Sequence, residues 1–261
     1  MRRPAALSLA ASLLLTGPAM ASPLDDLTLD VEAGPLAFLQ NDNRYGANGT
    51  PYQASTVALD RNLFVAKRLS AEARFGDRHT AILLYAPLDV TTRVTLGQPL
   101  TFRETTFPAA TVVDHRYLFD GLRGSYLYRV WEGAGLQAEL GASLQIRNAE
   151  VAMTDVTGAR FAAERDIGLV PALKGRFRYD SPWGPYAMLE ADGLGTLGLG
   201  PTRGGILDAA LTLGLPVRRG LDGTLRVRYL TGGADVPSRD LANWGQFLVA
   251  SAGLRWSLSG W

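Results

Sequence analysis

The stretch "LQAELGASLQI", residues 136–146, sets Leu136, Ala138, Leu140, Ala142, Leu144 and Ile146 on alternate positions, with Gln137, Glu139, Gly141, Ser143 and Gln145 between them. Successive side chains of a β-strand point to opposite faces, so this period of two reads as a strand whose faces meet different surroundings. Either the apolar face packs on a protein core and Glu139 meets water, or the apolar face meets lipid and Glu139 points into the lumen of a closed barrel.

The chain opens on "MRRPAALSLAASLLLTGPAMA", two arginines, an apolar stretch and Ala19-Met20-Ala21 before Ser22, which is the charged, apolar and small-residue order of a secretory signal. The apolar part is shorter than the about 20 residues that cross a bilayer as a helix. Residues 1–21 are therefore expected to be a signal peptide and residues 22–261 one domain outside the cytoplasm. The chain has no cysteine, hence no disulfide framework and no lipid-attachment thiol. A net charge of +1 gives no field suited to nucleic acid. No later apolar run is long enough for a membrane helix.

The alternation of residues 136–146 recurs along the chain. Candidate strands are "LTLDVEAGPLAFL" from Leu27, "LFVAKRLSAEARF" from Leu63, "TAILLYAPLDV" from Thr80, "YLFDGLRGSYLYRV" from Tyr117, "IGLVPALKGRFRY" from Ile167, "YAMLEADGLGTL" from Tyr186, "ILDAALTLGL" from Ile206, "TLRVRYL" from Thr224 and "FLVASAGLRWSL" from Phe247. With the opening stretch they make about ten strands. On each, one face is mostly Leu, Val, Ile, Ala and aromatics. In the third segment Ile82, Leu84, Ala86, Leu88 and Val90 are assigned to that face and Asp89 to the other. Lys67 and Asp120 fall out of phase, and Pro35, Pro87 and Pro171 interrupt strands, where a closed barrel tolerates them only at bulges or breaks.

Connections alternate between short and long. "GDR" from Gly76, "EGAG" from Glu132, "DSPWG" from Asp180 and "RRGLDG" from Arg218 are tight turns, whereas "NDNRYGANGTPYQ" from Asn41 and "QPLTFRETTFPAATVVDH" from Gln98 are long. The pattern is an all-β, up-and-down antiparallel meander with one tight and one elaborate rim. About 11 residues per strand, tilted near 45°, cover about 25 Å, the height of the apolar band of a transmembrane barrel. An arginine on the lipid face would cost about 2 to 4 kcal/mol at mid-depth, and the sorting of charges to one face is what that penalty selects. Glu139 is assigned to the lumen. The competing reading is a soluble barrel or sandwich with the faces inverted.

In these features, the signal ending Ala19-Met20-Ala21, the alternating segments and the terminal aromatic Trp261, the chain resembles a small outer-membrane β-barrel of Gram-negative bacteria over residues 27–261. The resemblance implies short periplasmic turns, longer outer loops, placement in the bacterial outer membrane among its lipids, and recognition of the last strand, ending in Trp261, by the barrel assembly machinery.

The face opposite the apolar one collects Asp30, Glu32, Glu72, Asp89, Glu139, Asp166, Glu190, Asp192 and Asp208, and with them Arg68, Arg74, Arg123, Arg129, Arg147, Lys174, Arg176, Arg178, Arg226, Arg228 and Arg255. The short turns place Arg129 near Glu139 and Lys174 near Glu190. Such a lumen is either a narrow charged channel for small solutes or a salt-bridged plug; eight strands already fill with side chains and ten add little width, which favours the plug. The excess at Arg176, Arg178, Arg226 and Arg228 predicts anion preference for any residual conductance. A structural or adhesive role of the loops stands beside the channel.

A barrel hydrolase acting on lipid or peptide at the outer rim is the alternative. Omptin proteases are ten-stranded, but an omptin-like site needs paired aspartates facing an Asp/His pair. Asp114 and His115 are the weak outer-rim candidates, and as neighbours on a strand they point to opposite faces; a solvated loop histidine is the expected role of His115. Ser125 sits too deep in its strand to meet it. No metal or cofactor is expected: Asn41, Asp42, Asn43, Asp235 and Asp240 lack a ligand spacing. The solute or surface ligand stays open.

Overall fold

The computed structural model describes residues 24–196 and 200–258; the expected signal peptide, residues 1–21, and Trp261 lie outside them. The strands are β1 Leu24–Tyr45, β2 Leu63–Phe75, β3 His79–Tyr85, β4 Leu88–Thr95, β5 Leu100–Phe102, β6 Thr105–Phe107, β7 Val112–Gly133, β8 Leu136–Asp155, β9 Phe161–Asp180, β10 Tyr186–Gly195, β11 Arg203–Arg218, β12 Leu221–Val236 and β13 Leu241–Ser257. β5 and β6 form a small hairpin of their own. β3 and β4 both pair with β7 and share one place in the wall. The rest pair with their neighbours in sequence, and β1 pairs with β13, so the ring closes as a ten-stranded antiparallel barrel.

Closure removes the free edges of the sheet, the condition for strands to lie in hydrocarbon. Leu140 is 52% exposed on the outside and Glu139 2% exposed on the inside, which answers the question posed by residues 136–146. The same assignment holds on β1, β2 and β7 through β13, where Val31, Leu69, Leu122, Leu173, Leu189, Leu211, Val227 and Leu254 are all exposed. The third segment is the exception. Leu83, 55% exposed, and Tyr85 face outward, whereas Ile82, Leu84, Leu88 and Val90 are buried inside. "AILLYA" is apolar on both faces, so its alternation carries no phase; pairing of Leu83 with Ala71 on β2 and Gly124 on β7 sets it. Asp89 accordingly lies outside the barrel, paired to Arg116 at 2.6 Å.

The prolines sit where ladders break. Pro87 lies between β3 and β4. The β1–β13 ladder passes from Ala33↔Ala252 to Leu36↔Val249 without pairing Gly34 and Pro35. A side chain at Gly34 would meet the Ala250 carbonyl oxygen at 2.0 Å, so the close approach there requires glycine. Pro171 lies two residues beyond the last β9–β10 pair, Gly193↔Leu173.

The strands are longer than a bilayer needs. β8 runs for 20 residues, and past Ile146 its outward positions become Asn148 and Glu150, so the long-loop end of the barrel rises above the apolar belt. There the wall parts at two places. β2 has no ladder to β4 above Leu69↔Tyr85, and β9 has none to β10 above Gly193↔Leu173. Two curved sheets face each other, with an apolar core between them at the β2/β4 side that includes Leu36, Phe38, Val90, Tyr117, Met153 and Phe247. Phe38 meets Phe64, Tyr117 and Phe247 edge-on with centroids 4.8 to 5.4 Å apart, a geometry worth about 0.5 to 1.5 kcal/mol per pair beyond burial. Residues 46–62 and the β5–β6 hairpin fold inward over this core, burying Val57, Leu59, Leu100, Phe102 and Phe107.

Leu140→Arg tests the assignment of faces: unfolding from lipid vesicles is expected to lose about 2 to 4 kcal/mol. Wild-type stability for this variant would reverse the faces.

Candidate functional site

Inward positions at the level of the belt carry a closed set of opposite charges. Asp30 and Glu32 come from β1, Glu72 from β2, Glu139 from β8, Glu190 and Asp192 from β10 and Asp208 from β11; Arg68, Arg123, Lys174, Arg176, Arg226, Arg228 and Arg255 come from β2, β7, β9, β12 and β13. Strand alternation aims all of them at the axis, and antiparallel register sets many side by side, as in Glu139↔Arg176, Glu190↔Arg176 and Asp192↔Lys174.

Arg176 is the hub. Its guanidinium donates to Glu72 at 2.9 Å and to Glu139 and Glu190 at 3.1 Å. Lys174 reaches Asp192 at 2.8 Å and Glu190 at 3.6 Å. Arg123 bridges Asp208 at 2.8 Å and Asp192 at 3.2 Å and also donates to Gln145. Arg228 holds Asp208 at 2.5 Å, Arg226 holds Glu32 at 2.5 Å and Asp30 at 3.6 Å, Arg255 holds Glu72 at 3.3 Å, and Arg68 lies 3.8 Å from Glu32. Glu139 also accepts from Thr80, and Arg226 donates to Thr212. Each charge is compensated across the lumen. At Arg176, Arg178, Arg226 and Arg228 each guanidinium is paired with at least one carboxylate.

Six expected members lie outside this set: Asp89 is on the other face of the wall, Arg74 flanks the set 3.2 Å from Glu72, and Arg129, Arg178, Arg147 and Asp166 stand elsewhere. Arg129 and Glu139 are register partners, yet Arg129 turns to Glu132 at 2.7 Å while Glu139 is taken by Arg176. Arg178 bonds Asp180 at 2.8 Å near the short-turn rim, with its guanidinium 3.8 Å from the centre of the Tyr186 ring. Arg147 lies above the network and pairs with Asp166.

Above the ion pairs is a cavity of about 520 Å³. Tyr117, Phe119, Val170, Leu194, Ile206 and Leu230 give it apolar walls, and Gln145, Arg147, Glu164, Asp166, Arg239 and Asn243 bring polar groups. It exists because β11 and β12 place Gly204, Gly232 and Ala234 inward there, too small to reach the facing sheet. An ionic cluster stands beside it: Arg103 and Arg239 bind Glu164, while Arg239 and Arg147 bind Asp166. Arg103 and Arg239 lie in connections without periodicity, so no sequence pattern marked them.

Asp114 and His115 do not share a site. Asp114 is outside, paired with Arg93 at 2.7 Å. His115 is not a solvated loop residue: it lies on β7, fully buried, with its Nε2 3.4 Å from the Tyr52 hydroxyl. Residues 46–62 cover it, a contact that no local pattern foretells. Since its neighbours Asp114 and Arg116 form ion pairs on the outer surface, this level is above the belt. Burial pulls the imidazole pKa down to about 4. Among the described residues no group of carboxylates and histidines is arranged to hold a metal ion.

No family model matches the sequence, and no curated protein does. Among solved structures, the outer membrane protease OmpT of Escherichia coli superposes with a TM-score of 0.56 at 9% identity, covering 92% of this chain and 99% of that one. The chain has an outer-membrane β-barrel fold. The transport unit of the autotransporter AIDA-I, also from Escherichia coli, aligns over 95% of both chains at 8% identity with a TM-score of 0.42. At 9% identity the likeness to OmpT shows the fold alone.

Two results are expected. Arg176→Ala leaves Glu139 without its cation and takes one of several partners from Glu72 and Glu190, and should cost about 3 to 5 kcal/mol, the usual loss when one partner of a buried pair is removed; unfolding in detergent would reveal it, and a change below 1 kcal/mol would deny that the network is desolvated. For His115, the unfolded chain takes up a proton below pH 6.5 that the folded chain refuses until about 4. Stability should therefore fall as pH drops through that window. His115→Phe should show a smaller loss between pH 7 and pH 4 than wild type; equal losses would rule out the histidine as their source.

Proposed function

We propose that this chain is a Gram-negative outer-membrane barrel, closed to solutes, that binds a ligand in the cavity of its outer half. The observation that carries the reading is the stack of two layers: a desolvated ion-pair network across the lumen at belt level and an apolar-walled cavity above it. A conducting pore needs charges with free hydration sites, whereas these guanidiniums are occupied by carboxylates. The cavity lies in the size range of small-molecule sites, about 300 to 1,000 Å³. In this placement the short turns are periplasmic, the belt meets outer-membrane lipid, and the last strand is the segment offered to the assembly machinery.

Planar-bilayer recording tests closure. Wild type should show no steady conductance, and Arg176→Ala combined with Glu190→Ala, which removes bulk and a charge of each sign, should open one. Steady current through wild type would promote the narrow channel. Orientation is tested with single cysteines in this cysteine-free chain: exposed positions Asn48 and Ser238 should react with a membrane-impermeant thiol reagent on intact cells, and Trp183, in a short turn, should not. The reverse pattern would invert the barrel.

A further inference from the structure

The two partings of the outer wall are not alike. At the β2/β4 parting the interior is filled: Val57 and Leu59 are fully buried, and the Thr92 hydroxyl donates to the Val57 carbonyl at 2.6 Å. At the β9/β10 parting the cavity lies directly behind the wall, bordered by Val170 and Pro171 on one side and Leu194 and Gly195 on the other. Leu194 belongs by alternation to the inward set of Glu190 and Asp192, which are 6% and 3% exposed, yet it is itself 42% exposed. An inward leucine this accessible looks into open space.

The depth of this parting is given by its outward neighbours. Leu173, Leu169 and Ile167 on β9 and Leu144 and Ile146 on β8 are exposed apolar residues, and the first outward charge on β9 is Arg165. The parting thus begins within the apolar belt and continues past its outer margin. An open strand edge in hydrocarbon leaves backbone groups without partners unless it lines a cavity. Pro171, on that edge, has no N–H to leave unpaired.

The cavity is chemically two-sided. Its apolar residues include Val170, Leu194 and Ile206, and its polar end joins the cluster in which, among the described residues, Arg103, Arg147 and Arg239 pair with two carboxylates, Glu164 and Asp166. The Nε of Arg147 is buried without a partner. We propose that the parting between β9 and β10 is a lateral portal through which a long-chain amphiphile with an anionic head passes from the outer leaflet into the cavity, its chain against Val170, Leu194 and Ile206 and its head toward Arg147. This deepens the ligand-binding reading above and rests on it.

The test uses the full mature chain refolded in phosphatidylcholine nanodiscs, with 11-(dansylamino)undecanoic acid as probe. Wild type should give a saturable rise in dansyl emission. Ile206→Trp, which fills the cavity, should weaken binding at least tenfold, and the uncharged amide of the probe should bind at least fivefold more weakly. No saturable binding, or equal binding by Ile206→Trp, would overturn the binding reading and the portal with it; equal binding of the amide would overturn the anionic head. The portal has its own arm. A bimane on Val170→Cys should be quenched by a phosphatidylcholine carrying a nitroxide near the top of its chain, at least half as strongly as a bimane on Leu144→Cys, which faces lipid at the same level. Quenching of the Val170→Cys label by aqueous iodide alone, or by neither agent, would overturn the portal while leaving binding through the outer mouth intact.

Discussion

Charge neutralisation across a narrow lumen is the constraint on which the rest depends. Ten strands leave little room inside for water, and hydrocarbon outside excludes charge from the other face. The carboxylates and guanidiniums of the inward positions must therefore satisfy one another. Arg176, reaching carboxylates on β2, β8 and β10, ties opposite sides of the barrel together. Displacing any one of these strands by a residue would turn its charges toward lipid.

Above the belt this constraint lapses, and the architecture changes with it. Outward positions become charged and pair on the surface, as in Arg116 with Asp89 and Glu150, and the interior becomes largely apolar, with the ion pairs of Glu164 and Asp166 at one side. The wall opens into two sheets because inward side chains can pack against folded-in loops instead of against neighbouring strands. On one side Val57, Leu59 and the β5–β6 hairpin supply that packing. On the other the glycines of β11 and β12 supply nothing, and a cavity remains. Closure below and vacancy above are two outcomes of one rule, that inward positions are filled by whatever the opposite wall can reach.

The strand pattern, the alternation of short and long connections and the sorting of charge were legible in the sequence because each follows from local geometry. Most of the luminal set was legible for the same reason: Glu72, Arg123, Glu139, Lys174, Arg176, Glu190, Asp192, Arg226 and Arg228 all lie where period two puts them. Where the period was lost, the reading failed. "AILLYA" is apolar throughout and its phase came from β2 and β7; Asp89 followed it to the wrong face.

What the sequence by itself determined was which residues share a face, since two adjacent side chains of a strand cannot point the same way. What only the tertiary structure decided was partner choice and filling. Arg129 stands opposite Glu139 in register yet bonds Glu132, because Arg176 reaches Glu139 from the next strand together with two further carboxylates. His115 is buried because residues 46–62, distant in sequence, fold over it. The cavity and the parted wall beside it arise where long strands outrun their neighbours, and strand length relative to a neighbour is a property of the closed barrel that no single segment carries.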